Sequence, residues 1–351
     1  MKQTVVVGMS GGVDSSLSAA LLKEEGYHVI GLFMKNWEET DANGICTSNR
    51  DYEDVIKTCT QLQIPYYSVN FVEEYRDRVF ASFLADLKAG MTPNPDILCN
   101  KEIKFDVFLE KAILLGADFL ATGHYCRLNE KHQLLKGADP DKDQSYFLHA
   151  VKQNALQKVL FPVGHLPKKE VRALAHKYNL PTAEKKDSTG ICFIGKRDFK
   201  PFVSQYISYK AGPFQTLQGQ IVGQHDGAAY YTIGQRKGLG LGGEGDAWYV
   251  IQKDIVKNIV FVERGANHPA LFSSQLSASK FTWISSPPPQ FPYRCHAKIR
   301  YRQQEQPCIL YPIENGLSTV LFDQPQRAIT PGQSVVFYDG DLCLGGAIIV
   351  G

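Results

Sequence analysis

The chain has 351 residues, 44% of them hydrophobic and 21% charged, with a formal net charge of +2. Such a length exceeds a single compact core and predicts two or three domains, while the near-neutral balance gives no bulk sign of a polyanion partner. No apolar run reaches membrane-spanning length and a strand pattern starts within four residues, which leaves no room for a signal peptide; a cytoplasmic protein with no membrane partner is expected.

In chain order, β-rich runs at 4–7, 28–34, 66–69 and 119–122 alternate with helical patterns at 15–25, 51–61, 72–89 and 105–115. Strands separated by helices predict an α/β fold with a doubly wound parallel sheet. Ligands of such sheets sit beyond the carboxyl ends of the strands. Gly8-Met9-Ser10-Gly11-Gly12-Val13-Asp14-Ser15-Ser16, Met34 and Gly123-His124 all fall there. In the first of these segments Gly11 and Gly12 allow backbone N–H groups to turn inward on an anion, and Ser15 and Ser16 add hydroxyls at a helix N-terminus. The segment lacks the Gly-Lys-Ser/Thr ending of a Walker A loop. Its Ser-Gly-Gly-x-Asp-Ser pattern resembles the pyrophosphate (PP) loop of ATP pyrophosphatases, which split ATP between the α- and β-phosphates.

Further along, Thr92-Pro93-Asn94-Pro95-Asp96-Ile97-Leu98-Cys99 is held extended by two prolines and then enters a helix. With Asp96 as N-cap, Cys99 takes the third helical position, where the dipole, Lys101 and Lys104 would favour thiolate. A second thiol, Cys192, lies between Gly190 and Gly195 in the lysine-flanked segment 185–199. From 165 to 200 there are nine Lys/Arg against four Asp/Glu, which suits phosphate contact or a solvated basic surface. Taken alone, either thiol is better read as a small buried apolar group. The eight cysteines include no C-x-x-C pair, so neither a zinc ribbon nor a cysteine-ligated cluster is supported.

The catalytic unit is expected to cover 1–209. Glycines then crowd between 212 and 245, predicting a small central domain of hairpins and tight turns over 210–272, with Thr232–Gly238 as a connector or, second to that, a loop contacting an RNA backbone. Over 273–351, six short strands bounded by Pro and Gly predict a C-terminal antiparallel β-barrel. Within it Arg294, His296, Lys298, Arg300 and Arg302 alternate, which predicts an all-basic strand face, suited to an RNA backbone or, as the alternative, merely solvated.

The motifs 8–16, 32–37, 94–105, 121–125, 142–146 and 187–199, followed by Arg300-Tyr301 and 331–334, occur in the order found in tRNA-specific 2-thiouridylases, and the resemblance spans the whole chain. What it implies is ATP-dependent adenylation of the C2 carbonyl of the wobble uridine, followed by sulfur transfer that gives 2-thiouridine, AMP and pyrophosphate. Gly8, Met9, Ser10, Gly11, Gly12, Val13, Asp14, Ser15, Met34 and Gly123 would bind ATP, with Mg²⁺ sharing the phosphate charge. Asn94, Pro95 and Asp96 would face the target base, with Asp96 as general acid/base. His124, Lys142, Asp143, Gln144, Arg300, Tyr301 and Gln333 would contact tRNA. Cys192 would carry the persulfide and Cys99 would complete release by forming a disulfide with it. The implied partners are tRNAs with a wobble uridine (Lys, Glu and Gln acceptors) and a sulfur carrier or cysteine desulfurase. Two rivals are an adenylating synthetase that uses ammonia or an amine, and a non-catalytic RNA-binding protein that senses nucleotide. Neither accounts for both cysteine segments.

Overall fold

The computed structural model describes residues 2–38, 47–187 and 199–351. Val5, Val6 and Val7 are fully buried at the centre of a parallel sheet covered on both faces, which is why they form an unbroken apolar run. The sheet comprises β1 (Thr4–Met9), β2 (His28–Lys35), β3 (Tyr66–Asn70), β4 (Phe119–Ala121) and β7 (Val159–Leu160), ordered β3-β2-β1-β4-β7. On one face Val5 and Val7 pack with Ala19 and Leu22 of helix α1 (Val13–Glu24) and Val55 and Cys59 of helix α2 (Thr47–Leu62). On the other, Val6, Leu32 and Met34 share a core with Val79, Ile103 and Phe108 from the helical stretches 72–88 and 95–114. The expected doubly wound α/β unit is present.

A second sheet follows the order β10-β11-β8-β9, built from β8 (Gly212–Gln215), β9 (Ile221–His225), β10 (Trp248–Asp254) and β11 (Ile259–Arg264) around Phe214, Val250, Val260 and Val262. The C-terminal strands are β12 (Phe272–Trp283), β13 (Tyr293–Lys298), β14 (Gln306–Leu310), β15 (Leu317–Arg327), β16 (Ser334–Asp339) and β17 (Leu342–Ile349). They run β12-β15-β14-β13-β16-β17, and β12 also pairs with β17, so the six strands close into the expected antiparallel barrel.

Two features depart from expectation. The short hairpin β5 (Cys126–Leu128) and β6 (Leu134–Lys136) leaves the α/β unit and adds to β17 through Leu342 opposite Leu135. The all-basic face does not form. Strand β13 ends at Lys298, and Arg302 turns back with φ +64°. Arg294 pairs with Asp323 at 2.5 Å, and Lys298 is buried against Asp143 at 3.1 Å. Arg300 instead donates to the carbonyls of Ile233 (3.1 Å) and Ala328 (2.7 Å). A buried ammonium needs a counter-charge, so the chain turns Lys298 inward to one. Among the described residues no helix is long and apolar enough to cross a membrane.

Candidate active site

Beyond β1 the chain turns through Gly11 (φ +73°), and a Cβ there would lie 2.5 Å from the carbonyl oxygen of Asp51. Only glycine permits that turn beside α2. Helix α1 is capped by Gly12 with no side-chain cap, so its first N–H groups, at Val13, Asp14 and Ser15, lack intrahelical acceptors. Ser15 and Ser16 donate to the Gly12 carbonyl at 3.1 and 2.9 Å, and Ser15 Oγ accepts the Ser10 N–H at 3.1 Å. The loop is therefore braced by its own serines while the helix-end donors face outward. That is a fitting cradle for a phosphate chain.

Gly123 touches this cradle. A Cβ at Gly123 would stand 2.8 Å from both Asp14 C and Ser15 N. Next to it, His124 bonds Thr122 Oγ1 through Nδ1 at 2.7 Å and packs its ring 5.6 Å from that of Phe105. Burial, then the nearby Lys104 charge, hold the imidazole well below its ordinary pKa, so it is neutral at pH 7. Phe105 belongs to the helical stretch 95–114, which also carries Asp96 and Cys99, and Met34 shares its core.

That stretch begins differently from expectation. Asn94, not Asp96, is the N-cap, and its Oδ1 accepts the Asp96 N–H at 3.1 Å with Pro95 at the first helical position. Cys99 therefore sits two positions further in, at the fifth helical position and beyond the first turn, where the dipole is weaker, and it is buried; Lys101 pairs with Glu102 at 2.7 Å. Residues 99–107 are wound as a π-helix, with Phe105 leaving helical geometry (φ −105°, ψ 18°). Widened turns of this kind recur at functional sites. Asp96 is half-buried, three residues from Cys99 on the same stretch.

An ionic cluster missed by sequence reasoning underlies the loop. Lys168 Nζ lies 2.6 Å from Asp14 Oδ1 and 3.0 Å from Asp187, which also binds Lys142 (2.7 Å) and Arg172 (2.9 Å). Burial works against ionising Asp187, but Lys142 and Lys168 outweigh it and hold its pKa at about 2. Tyr125 OH donates to Asp14 at 2.7 Å. The only sequence signal was the cationic excess over 165–200. Among the described residues no group of three His, Cys, Asp or Glu side chains suits a metal ion.

Two of the residues expected to contact RNA reach segment 92–100, Gln333 directly and Tyr301 through Phe147. Gln333 Nε2 donates to the Thr92 carbonyl at 2.6 Å. Tyr301 packs 4.4 Å from the ring of Phe147, whose carbonyl accepts Asn100 Nδ2 at 3.2 Å. Gln144 accepts the Tyr125 N–H at 3.0 Å. Asp143 is buried, and its carboxylate accepts from Gly137, Ser145 and Lys298, so its bonding capacity is used inside the protein. Cys192, with the rest of 188–198, lies outside the described residues.

Family profiles match in three blocks. One described as tRNA methyl transferase HUP domain covers residues 3–196, a tRNA methyl transferase PRC-barrel domain covers 200–264, and an aminomethyltransferase beta-barrel domain covers 273–349. A tRNA-specific 2-thiouridylase MnmA from Protochlamydia amoebophila is 62% identical over 99% of this chain and 93% of its own length. Proteins of the same name from Halalkalibacterium halodurans (59%) and Geobacillus thermodenitrificans (56%) each match over 98% of this chain and 94% of theirs. The profile descriptions speak of methyl transfer, whereas these three full-length relatives are all named thiouridylases.

Proposed function

This chain belongs to the tRNA-specific 2-thiouridylase family, and from that premise we propose that it replaces the C2 oxygen of a wobble uridine by sulfur in an ATP-dependent, two-thiol reaction. The reading is carried by identity of 62% along 99% of the chain with a relative of that name. The phosphate cradle, linked through Gly123-His124 to Phe105 on the helical stretch that also bears Asp96 and Cys99, supports it.

A carbonyl oxygen is a very poor leaving group, so it first attacks the α-phosphate of ATP and pyrophosphate departs. Backbone N–H groups of Gly11–Ser15 hold the phosphates and stabilise the charge that develops there. Gly123 lets α1 approach closely, and Met34 lines the adenine side. Bound Mg²⁺ would supply further charge neutralisation. The terminal sulfur of a persulfide on Cys192 then attacks C2, and AMP leaves with the oxygen. Cys99 attacks the Cys192 sulfur, the S–S bond breaks, and its electron pair completes the C2 thiocarbonyl. The resulting Cys99–Cys192 disulfide needs two electrons from an external dithiol before the next turnover. Asp96 moves the proton at the base. Lys142, Gln144, His124, Arg300, Tyr301 and Gln333 are the RNA contacts of this reading, whereas Asp143 acts through Lys298. We place the working units at 1–209, 210–272 and 273–351.

Incubation with tRNA, ATP, Mg²⁺ and a persulfide donor, followed by nucleoside mass spectrometry, tests it. One sulfur in place of one oxygen on an anticodon-loop uridine is expected, and Cys99→Ser should abolish it. Thiolation undiminished in that variant, or pyrophosphate release without dependence on tRNA, overturns the reading.

A further inference from the structure

Thr92 is gripped by both of the other units. Its N–H donates to the Pro331 carbonyl at 2.8 Å, its carbonyl accepts Gln333 Nε2 at 2.6 Å, and its hydroxyl lies 3.4 Å from that of Thr232 in the middle unit. Between the two barrel contacts stands Gly332, with φ +90° and no room for a side chain: a Cβ would fall 2.7 Å from Met91 Cβ and from Thr92 N. The turn 331–333 thus lies backbone against backbone on Met91-Thr92, two residues before Asn94. Pro93 and Pro95 stiffen the connection, so a displacement of Thr92 is passed on to Asn94, Asp96 and the helical stretch of Cys99 rather than absorbed. Arg300, which bonds Ile233 and Ala328, fixes the far side of the same junction.

We propose that the barrel turn Pro331-Gly332-Gln333 is a positioning device for catalysis. Gln333 and Gly332 set the placement of Asn94–Asp96 through Thr92, so the barrel contributes to the maximal rate and not only to RNA affinity. The inference rests on the reading that residues 94–96 face the target base. Gln333 Nε2 is already engaged at Thr92, and an RNA group that also recruits Gln333 would use its Oε1.

Single-turnover thiolation across a range of tRNA concentrations separates the maximal rate from half-saturation. Gln333→Ala should lower the maximal rate by about tenfold or more, because small misplacements at a reacting centre are costly. Any rise in half-saturating tRNA should be smaller than that loss of rate, while ATP affinity and melting temperature stay near those of the unmodified chain. Gly332→Ala should lower the rate further, and since it strains the fold, Gln333→Ala is the deciding variant. A rise in half-saturation at an unchanged maximal rate makes Gln333 an RNA contact alone and overturns the inference, as does no effect on either. Asp96→Asn is run alongside. Full activity in that variant sinks the reading of 94–96 itself; loss of activity, with Gln333→Ala acting on half-saturation only, sinks the positioning role and leaves that reading intact.

Discussion

Lys298 of the barrel donates to Asp143 of the α/β unit at 3.1 Å, and the two side chains are only 11% and 3% exposed. Glu305, 3.9 Å from Lys298, in turn binds Lys136 at 2.7 Å on the hairpin that joins β17. The pair therefore welds two units at the point where Lys142 and Gln144 flank one partner and Arg300 follows the other. Breaking a buried pair by removing one partner costs about 3–5 kcal/mol, because the other charge stays buried without compensation. Lys298→Met should lower stability on that scale in urea denaturation, and adding Asp143→Asn should restore most of it. An unchanged midpoint in Lys298→Met would show that the pair contributes nothing.

His149 gives the same interface a pH dependence. Burial lowers its pKa to about 4, and its Nε2 lies 3.1 Å from Ser334 Oγ of the barrel. Above pH 6.5 the ring is neutral in folded and unfolded chains alike. As pH falls from 6.5 towards 4, the unfolded chain takes a proton that the folded one refuses, so stability declines; below 4 both are protonated and the slope ends. Between pH 7 and 5 the unmodified chain should lose about 2 kcal/mol more than His149→Gln. Parallel losses in the two proteins would assign the acid sensitivity to other groups.

Burial also keeps four of the eight thiols from ionising. It pushes Cys59 up to about 12, and raises Cys126 and Cys343 as well. Cys308 is raised by its hydrogen bond with Cys295, whose sulfur is 3.7 Å away, and then by burial. Alkylation needs the thiolate. Iodoacetamide at pH 8 should leave Cys59, Cys126, Cys308 and Cys343 unmodified in the native protein, and label all four after denaturation, by peptide mass mapping. Rapid native labelling of Cys126 would contradict the burial described here.

What could be read from the sequence was local. Val5–Val7 and the glycine turn after them carry their own signals, since a buried parallel strand and an anion loop are each written in consecutive residues. Asn94 and Asp96 are both good N-cap types; Pro95 at the first helical position decides for Asn94, because proline there has no N–H to satisfy. The hairpin at 126–136 could not be read, since three-residue strands gain stability only by joining β17, some 200 residues later. Lys298 looked like part of an RNA face for the same reason. Its charge is visible in the sequence, but its partner lies 155 positions upstream. Lys168 and Asp187 are likewise assembled only by the fold.

Gly123 supplies the most direct test of the nucleotide site. Its Cβ position is 2.8 Å from Asp14 C and Ser15 N, and backbone atoms at the start of a helix cannot rotate away as a side-chain tip would. Alanine must therefore separate the end of β4 from the start of α1, whose Asp14 and Ser15 N–H groups are the phosphate donors of the proposed reaction. Overpacking of this kind costs about 1–3 kcal/mol. Much of it should fall on the bound state, weakening ATP binding by about tenfold or more in calorimetric titration while half-saturating tRNA stays unchanged. Gly116→Ala is the control: it has φ +86° with nothing within 4 Å of the added methyl group, so it strains the backbone without touching the loop. It should lower the melting temperature and leave ATP affinity alone. Equal ATP affinity in Gly123→Ala and the unmodified chain would remove the phosphates from the end of α1.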